Sequence, residues 1–187
     1  MKIFTKVMAI VVLGFAATAA NAIVFVPGGG TSGPQSSAFQ FNGFDGSTTV
    51  TMTIGVSNAT DGAFGPNQNN VSFGGLLAGQ ADVSLIGDVG VDTSAYTNFF
   101  GEAGTTGDLV SFDFNPLDGE TVTWDWEYFS NDGGQFHDFS FVDFSIDGSS
   151  VAYFVLAQDC ELYVGPKDCN DPTGASEPGI LVLMGLG

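Results

Sequence analysis

Acidic side chains are the residues of this sequence with the most chemistry to offer, and little opposes them. Twenty-one Asp and Glu face three cations, Lys2, Lys6 and Lys167, and there is no Arg. Asp132, Asp138, Asp143 and Asp147 crowd a short stretch and suggest a cation site. Asp132 and Asp147 cannot share one ion, because they flank an expected strand of about ten residues, roughly 30 Å at about 3.3 Å per residue. If the strands after residue 108 form an antiparallel meander, a different set gathers at one edge: Asp108, Asp132, Asp138 and Asp159, with Glu161 close by. Oxygen-rich loops without cations suit Ca²⁺, which takes six to eight oxygens in flexible geometry. A solvated acidic rim that keeps the protein soluble is the competing reading.

Other reactive residues are few. Cys160 and Cys169 are the only cysteines, and one pairing is available to them. Closing so short a loop stabilises by about 2.5 kcal/mol on the chain-entropy estimate, and it would gather Asp159, Glu161, Asp168 and Asp171 into one acidic turn. No Cys-x-x-Cys spacing suggests a redox pair or a zinc site. His137 is the sole histidine, so any Ser-His-Asp arrangement must use it, and no nucleophile-elbow pattern accompanies it. Asp125 and Glu127 share a strand face about 7 Å apart, a separation compatible with paired-carboxylate glycosidases. A solvated polar face explains them as well, since Thr121 and Thr123 continue the row. Trp124 and Trp126 take the opposite face, as core or, if exposed, as a sugar-stacking platform. No catalytic residues are assigned.

Composition closes several classes. A chain this poor in Lys and Arg cannot neutralise phosphates, so nucleic-acid binding is close to excluded, and nucleotide, phosphoryl-transfer and pyridoxal chemistry is disfavoured. Of 187 residues, 44% are hydrophobic and 18 are Phe, enough to fill the core of one domain.

The elements that must position these residues read as short strands. Val50, Met52, Ile54 and Val56 alternate with threonines, and Val122, Trp124, Trp126 and Tyr128 alternate with Thr121, Thr123, Asp125 and Glu127. Such a period of two is that of half-buried antiparallel strands. Strands are expected near 38–43, 48–56, 70–74, 81–86, 109–114, 121–128, 137–146 and 150–157, with one helical turn at Ser94–Phe100. Pro116-Leu117-Asp118-Gly119, Asn131-Asp132-Gly133-Gly134 and Asp147-Gly148 punctuate the second half as turns. The last four strands are therefore read as a meander. The Phe139/Phe141 and Val142/Phe144/Ile146 parities in 137–146 imply either two covered faces or a bulge near Phe141–Val142. The whole points to an all-β, antiparallel β-sandwich, jelly-roll-like, over residues 23–171.

Both ends read as routing labels. Lys2 and Lys6, the apolar stretch Val7–Ala17 and the exit Ala20-Asn21-Ala22 make a signal peptide, cleaved after Ala22. The mature chain then keeps Lys167 alone against 21 acids, a net charge of −20. Residues 172–187 form a linker and the run Ser176-Glu177-Pro178-Gly179 before an apolar Ile180–Gly187 tail. This end resembles the PEP-CTERM sorting signal of Gram-negative bacteria. Ser176 stands at the first proline of the Pro-Glu-Pro triplet, and eight apolar residues are too few to span a bilayer. The sequence is therefore expected to be cut short after Gly187. The resemblance implies export, recognition by the membrane protease-transferase exosortase, and delivery to the cell surface or extracellular polymer. The Asp-aromatic alternation of Phe112-Asp113-Phe114, Trp124-Asp125-Trp126 and His137-Asp138-Phe139 is also similar to sandwich domains of PEP-CTERM surface proteins.

The expected function is thus a secreted, non-catalytic protein of the cell surface or extracellular matrix. It would meet the membrane only transiently, through its leader and tail. The alternative is a calcium-dependent carbohydrate-binding module that meets extracellular polysaccharide, and a glycan-cleaving enzyme stands behind both.

Overall fold

Val50, Met52, Ile54 and Val56 are fully buried along one side of a single strand, as their period of two requires. A computed structural model describes residues 23–59, 67–87, 90–131 and 137–160. The expected signal peptide with Ala22, Asp132, Glu161, Cys169 and the sorting residues Ser176, Glu177 and Pro178 lie outside the described residues. Ten strands follow one another, with no helix among the described residues. They are β1 (Val24–Pro27), β2 (Gln35–Gln40), β3 (Val50–Ser57), β4 (Gln68–Gly75) and β5 (Val83–Ile86). Then come β6 (Val91–Asp92), β7 (Thr106–Phe114), β8 (Thr121–Phe129), β9 (Phe139–Ile146) and β10 (Ser149–Cys160).

Two sheets pack face to face. The larger has the order β1-β10-β9-β3-β7-β6 and the smaller β2-β8-β4-β5. All pairs are antiparallel except β1 with β10. Setting β10 and β6 aside, β1-β9-β3-β7 over β2-β8-β4-β5 is the strand order of a jelly roll, with β10 inserted between β1 and β9. The expected β-sandwich is therefore what the chain forms. Its core is aromatic: Phe39 of β2 stacks on Phe144 of β9 across the sandwich at 4.5 Å, and Phe73 of β4 meets Phe112 of β7 at 4.7 Å.

The expected meander is not present. Of the four strands expected in it, β9 and β10 alone form a hairpin, through Asp147 (φ 50) and Gly148 (φ 76), the positive φ pair of a type I′ turn. β7 pairs with β3 and β6, while β8 lies in the other sheet between β2 and β4. The physical reason is that alternation tells each strand which face is apolar but not which sheet it joins. A hairpin within one sheet and a corner between two sheets satisfy the same pattern. The residues after β7 make such a corner, with Gly119 N–H donating to the Phe41 carbonyl at 2.7 Å.

The two parities of β9 resolve as two covered faces. Its register with β3 runs unbroken from Thr51–Ser145 to Ser57–Phe139, and the bulges fall in β10 instead, at Ser150/Ala152 and Val155/Ala157. Val142 and Phe144 enter the core; Phe139 and Phe141 form a second cluster on the outer face with Ala59, Tyr96, Tyr153 and Val155. The expected helical turn at Ser94–Phe100 is absent. That stretch is a chain of turns closed by a Thr97–Ala103 bridge, because Asn98 offers a tighter local solution. Its side-chain oxygen accepts from the N–H groups of Phe100 and Glu102, and its amide donates to Glu102 Oε2.

Candidate functional site

Residues with chemical potential collect in three places. The first is one end of the sandwich, where two of the five expected calcium ligands meet. Asp138 precedes β9 and Asp159 ends β10, and both are essentially fully buried. The Asn67 amide nitrogen donates to Asp138 at 2.5 Å and to Asp159 at 3.2 Å. Ala59 N–H donates to the other Asp138 oxygen and the Tyr128 hydroxyl to the other Asp159 oxygen. Asn67 cannot turn its oxygen toward the acids, because that oxygen already accepts from Asn131 N–H at 2.7 Å. The pair is thus held by hydrogen-bond donors. Burial, reinforced by the Asp138 charge, pushes the Asp159 carboxyl up to about 8.

Asp108 does not join them, which corrects the expected cluster. It sits on β7, three strand spacings from β10, about 14 Å at roughly 4.8 Å per spacing. There it accepts from Ile86 N–H on the facing sheet. A meander would have made β7 a near neighbour of β10, but β8 joins the other sheet and β3 and β9 separate the two. Asp132 and Glu161 lie outside the described residues, among which no group of three or more His, Cys, Asp or Glu side chains could hold a metal. Cys160 is fully buried at the end of β10, and its expected partner Cys169 is outside the described residues.

The second place is a groove of about 450 Å³ on the outer face of the smaller sheet, lined by Asp82, Asp125, Glu127, Asn70 and Ser72 among others. Asp125 and Glu127 share it as their spacing requires. Each takes a hydroxyl from the neighbouring segment, Ser36 for Asp125 at 2.5 Å and Thr31 for Glu127 at 2.9 Å. Their inward neighbours are no sugar platform: Trp124 and Trp126 are buried in the core, with Trp126 donating to Ser37.

The third place was not anticipated. Residues 93–105, where the sequence suggests a helical turn at Ser94–Phe100, instead fold back over the outer face of the larger sheet. Thr93 and Ser57 join hydroxyls at 2.6 Å, and a side chain at Gly104 would run into both residues. Phe99 and Phe100 pack against Phe25 of β1, and Phe99 N–H donates to Gln158. His137 is buried beside this loop, with Nδ1 2.8 Å from Glu102 Oε2, a position that fastens the loop to the sheet.

Tyr96 then lies flat on Phe141, centroids 4.0 Å apart, and nearly parallel to Tyr153 at 6.1 Å. Phe141 can rise to meet it because position 55 beneath is glycine; a Cβ there would come within 2.5 Å of the ring. The two tyrosines border a groove of about 520 Å³, with Asp143, Ser145, Ser150 and Thr53 also lining it. Asp143 accepts from the Ser150 hydroxyl, and burial holds its carboxyl above the usual aspartate range. The Tyr153 hydroxyl donates to the Thr97 carbonyl at 2.7 Å, tying sheet to loop. A close grouping of Tyr96, Phe99 and Phe100 within a Gly-rich connection was the sequence signal for this docking.

No protein-family model, curated protein or solved structure matches the chain.

Proposed function

We propose that the chain is an exported, non-catalytic β-sandwich of the Gram-negative cell surface or extracellular matrix, routed by its leader and PEP-CTERM-like tail. The observation that carries this reading is where the sheet starts. β1 pairs from Val24, two residues beyond the expected cleavage after Ala22, so cleavage there leaves the strand whole. The chemistry of the body also supports it. His137 fastens a loop, Asp125 and Glu127 sit on an open face bonded to hydroxyls, and 21 acids against three cations favour solubility outside the cell. Expressed in a Gram-negative host, the protein should leave the cytosol and show Ile23 as its first residue by intact mass. Cytosolic protein with residues 1–22 attached sinks the reading.

The disulfide belongs to the same proposal. Cys160 ends the sheet fully buried, and no free cysteine is found among the described residues. Exported protein alkylated without reductant should gain no mass at Cys160 or Cys169.

Calcium belongs to the proposal through Asp138 and Asp159, the two expected ligands that meet; an ion there would have to displace the Asn67 amide that donates to both, and would supply the positive charge these acids lack. The melting midpoint should then rise with added Ca²⁺ and return with chelator, more at pH about 8 than at about 5. An unchanged midpoint retires the ion. The carbohydrate-binding alternative loses its expected Trp124–Trp126 platform to the core.

A further inference from the structure

We propose that the groove between the 93–105 loop and the outer face of the larger sheet binds a neutral saccharide. The inference concerns this groove alone and holds wherever the protein resides.

A sugar ring is amphipathic: its C–H faces pack on aromatic rings, while its hydroxyls need acceptors and donors held at its edge. The groove supplies both side by side, with Tyr153 of β10 in register with Asp143 of β9. Tyr96 and Tyr153 stand nearly parallel along one wall, each carrying a phenol and an apolar ring. Asp143, Ser145 and Thr53 project from neighbouring strands β9 and β3, in register at Thr53–Asp143, so their spacing is set by the sheet. At about 520 Å³ the groove falls within the usual range of ligand clefts, roughly 300–1,000 Å³.

Charge narrows the ligand further. Among the described residues no Lys, Arg or His lines the groove, and Asp143 would repel a uronate, sulfate or phosphate. Asp143 is only 7% exposed, and Ser150 is the donor it holds. A buried carboxyl with a single donor gains from further O–H groups, and a vicinal diol offers two. Its raised affinity for protons has the same origin. The groove on the other sheet carries three carboxylates, and the aromatic residue named in its lining, Trp126, is buried in the core rather than presented as a face, so it is not the better candidate.

Preorganisation is also built in. Tyr96 is pinned from below by Phe141, and Tyr153 by the carbonyl of Thr97, so neither ring must be ordered when a ligand arrives.

The test is native electrophoresis of the purified full chain through gels containing soluble glucan, xylan, mannan or galactan, with polygalacturonate as the anionic control. Retardation by at least one neutral glycan and none by polygalacturonate is expected. Tyr96→Ala and Asp143→Asn should each weaken that retardation about tenfold, whereas Asp125→Asn on the opposite sheet should leave it unchanged. If Tyr96→Ala does not fold, Asp143→Asn and Ser145→Ala carry the comparison, because both keep the aromatic wall. No retardation by any of the four glycans overturns the proposal. So does retardation that survives Asp143→Asn and Ser145→Ala, or that vanishes with Asp125→Asn.

Discussion

Replacing Phe141 with Ala is expected to cost about 3–5 kcal/mol in urea denaturation, with the loop over the larger sheet loosening at the same time. Phe141 is fully buried, although it lies on the outer face of its sheet. It touches Tyr96 at 4.0 Å, Phe139 at 5.8 Å and Tyr153 at 6.0 Å between centroids, so its removal empties the space beneath the loop. Backbone amides of the loop, Tyr96 and Gly104 among them, should lose hydrogen-exchange protection, while β8 in the other sheet keeps its own. The opposite change sharpens the interpretation. Gly55→Ala places a methyl within 2.5 Å of the same ring and 3.1 Å of the Asp108 carbonyl, so it should destabilise by about 1–3 kcal/mol through overpacking. Combined with Phe141→Ala, the methyl has space to occupy, and the double variant should be less unstable than the two costs added. A cost below about 1 kcal/mol for Phe141→Ala would show that this aromatic layer is decoration.

Asp159 is expected to make the fold less stable as pH rises, the reverse of an ordinary paired carboxylate. In the unfolded chain it ionises near 3.8; in the fold, burial and Asp138 hold its proton to about 8. Between those values the folded state binds the extra proton, so its stabilising effect is complete below about 4 and is lost as pH climbs through about 8. The total is on the order of a few kcal/mol. The groups facing it are Asp138, the Asn67 amide, and the hydroxyls of Tyr128 and Ser130. Melting curves from pH about 5 to about 9 should fall for the natural chain and flatten for Asp159→Asn, which imitates the protonated acid. Asp45 and Asp92 have lowered carboxyl pKa values through bonds to Ser47 and Ser94, so they act in the opposite sense and only at the acid end. A slope unchanged by Asp159→Asn would place the effect elsewhere.

What the sequence revealed follows from what alternation can encode. The buried rows Val50/Met52/Ile54/Val56 and Val122/Trp124/Trp126/Tyr128 were readable because each strand has one face in the same core. The I′ turn at Asp147-Gly148 was readable because few residues tolerate positive φ. Sheet membership was not, since Val110–Phe114 of β7 and Thr121–Tyr128 of β8 both alternate apolar with polar residues, yet the two strands lie in different sheets. β1 is short, carries Pro27 and adjoins the expected leader, so no period could establish itself. The carboxyl pair was half seen: Asp138 and Asp159 were named for the right end of β9 and β10, but Asp108 was added through a pairing that does not exist. The tyrosine groove escaped because a tertiary contact, the loop lying on Phe141 above Gly55, creates it.

The pairing of β1 with β10 reaches beyond stability. Val24 lies beside Ala157, so the first of the described strands waits about 130 residues for its neighbour. The larger sheet cannot close at that edge until nearly all of the described chain is present. This seam is therefore among the last parts of the larger sheet that can form while the chain is being made, and a ribosome-bound chain stopped before β10 would leave the β1 edge without its partner.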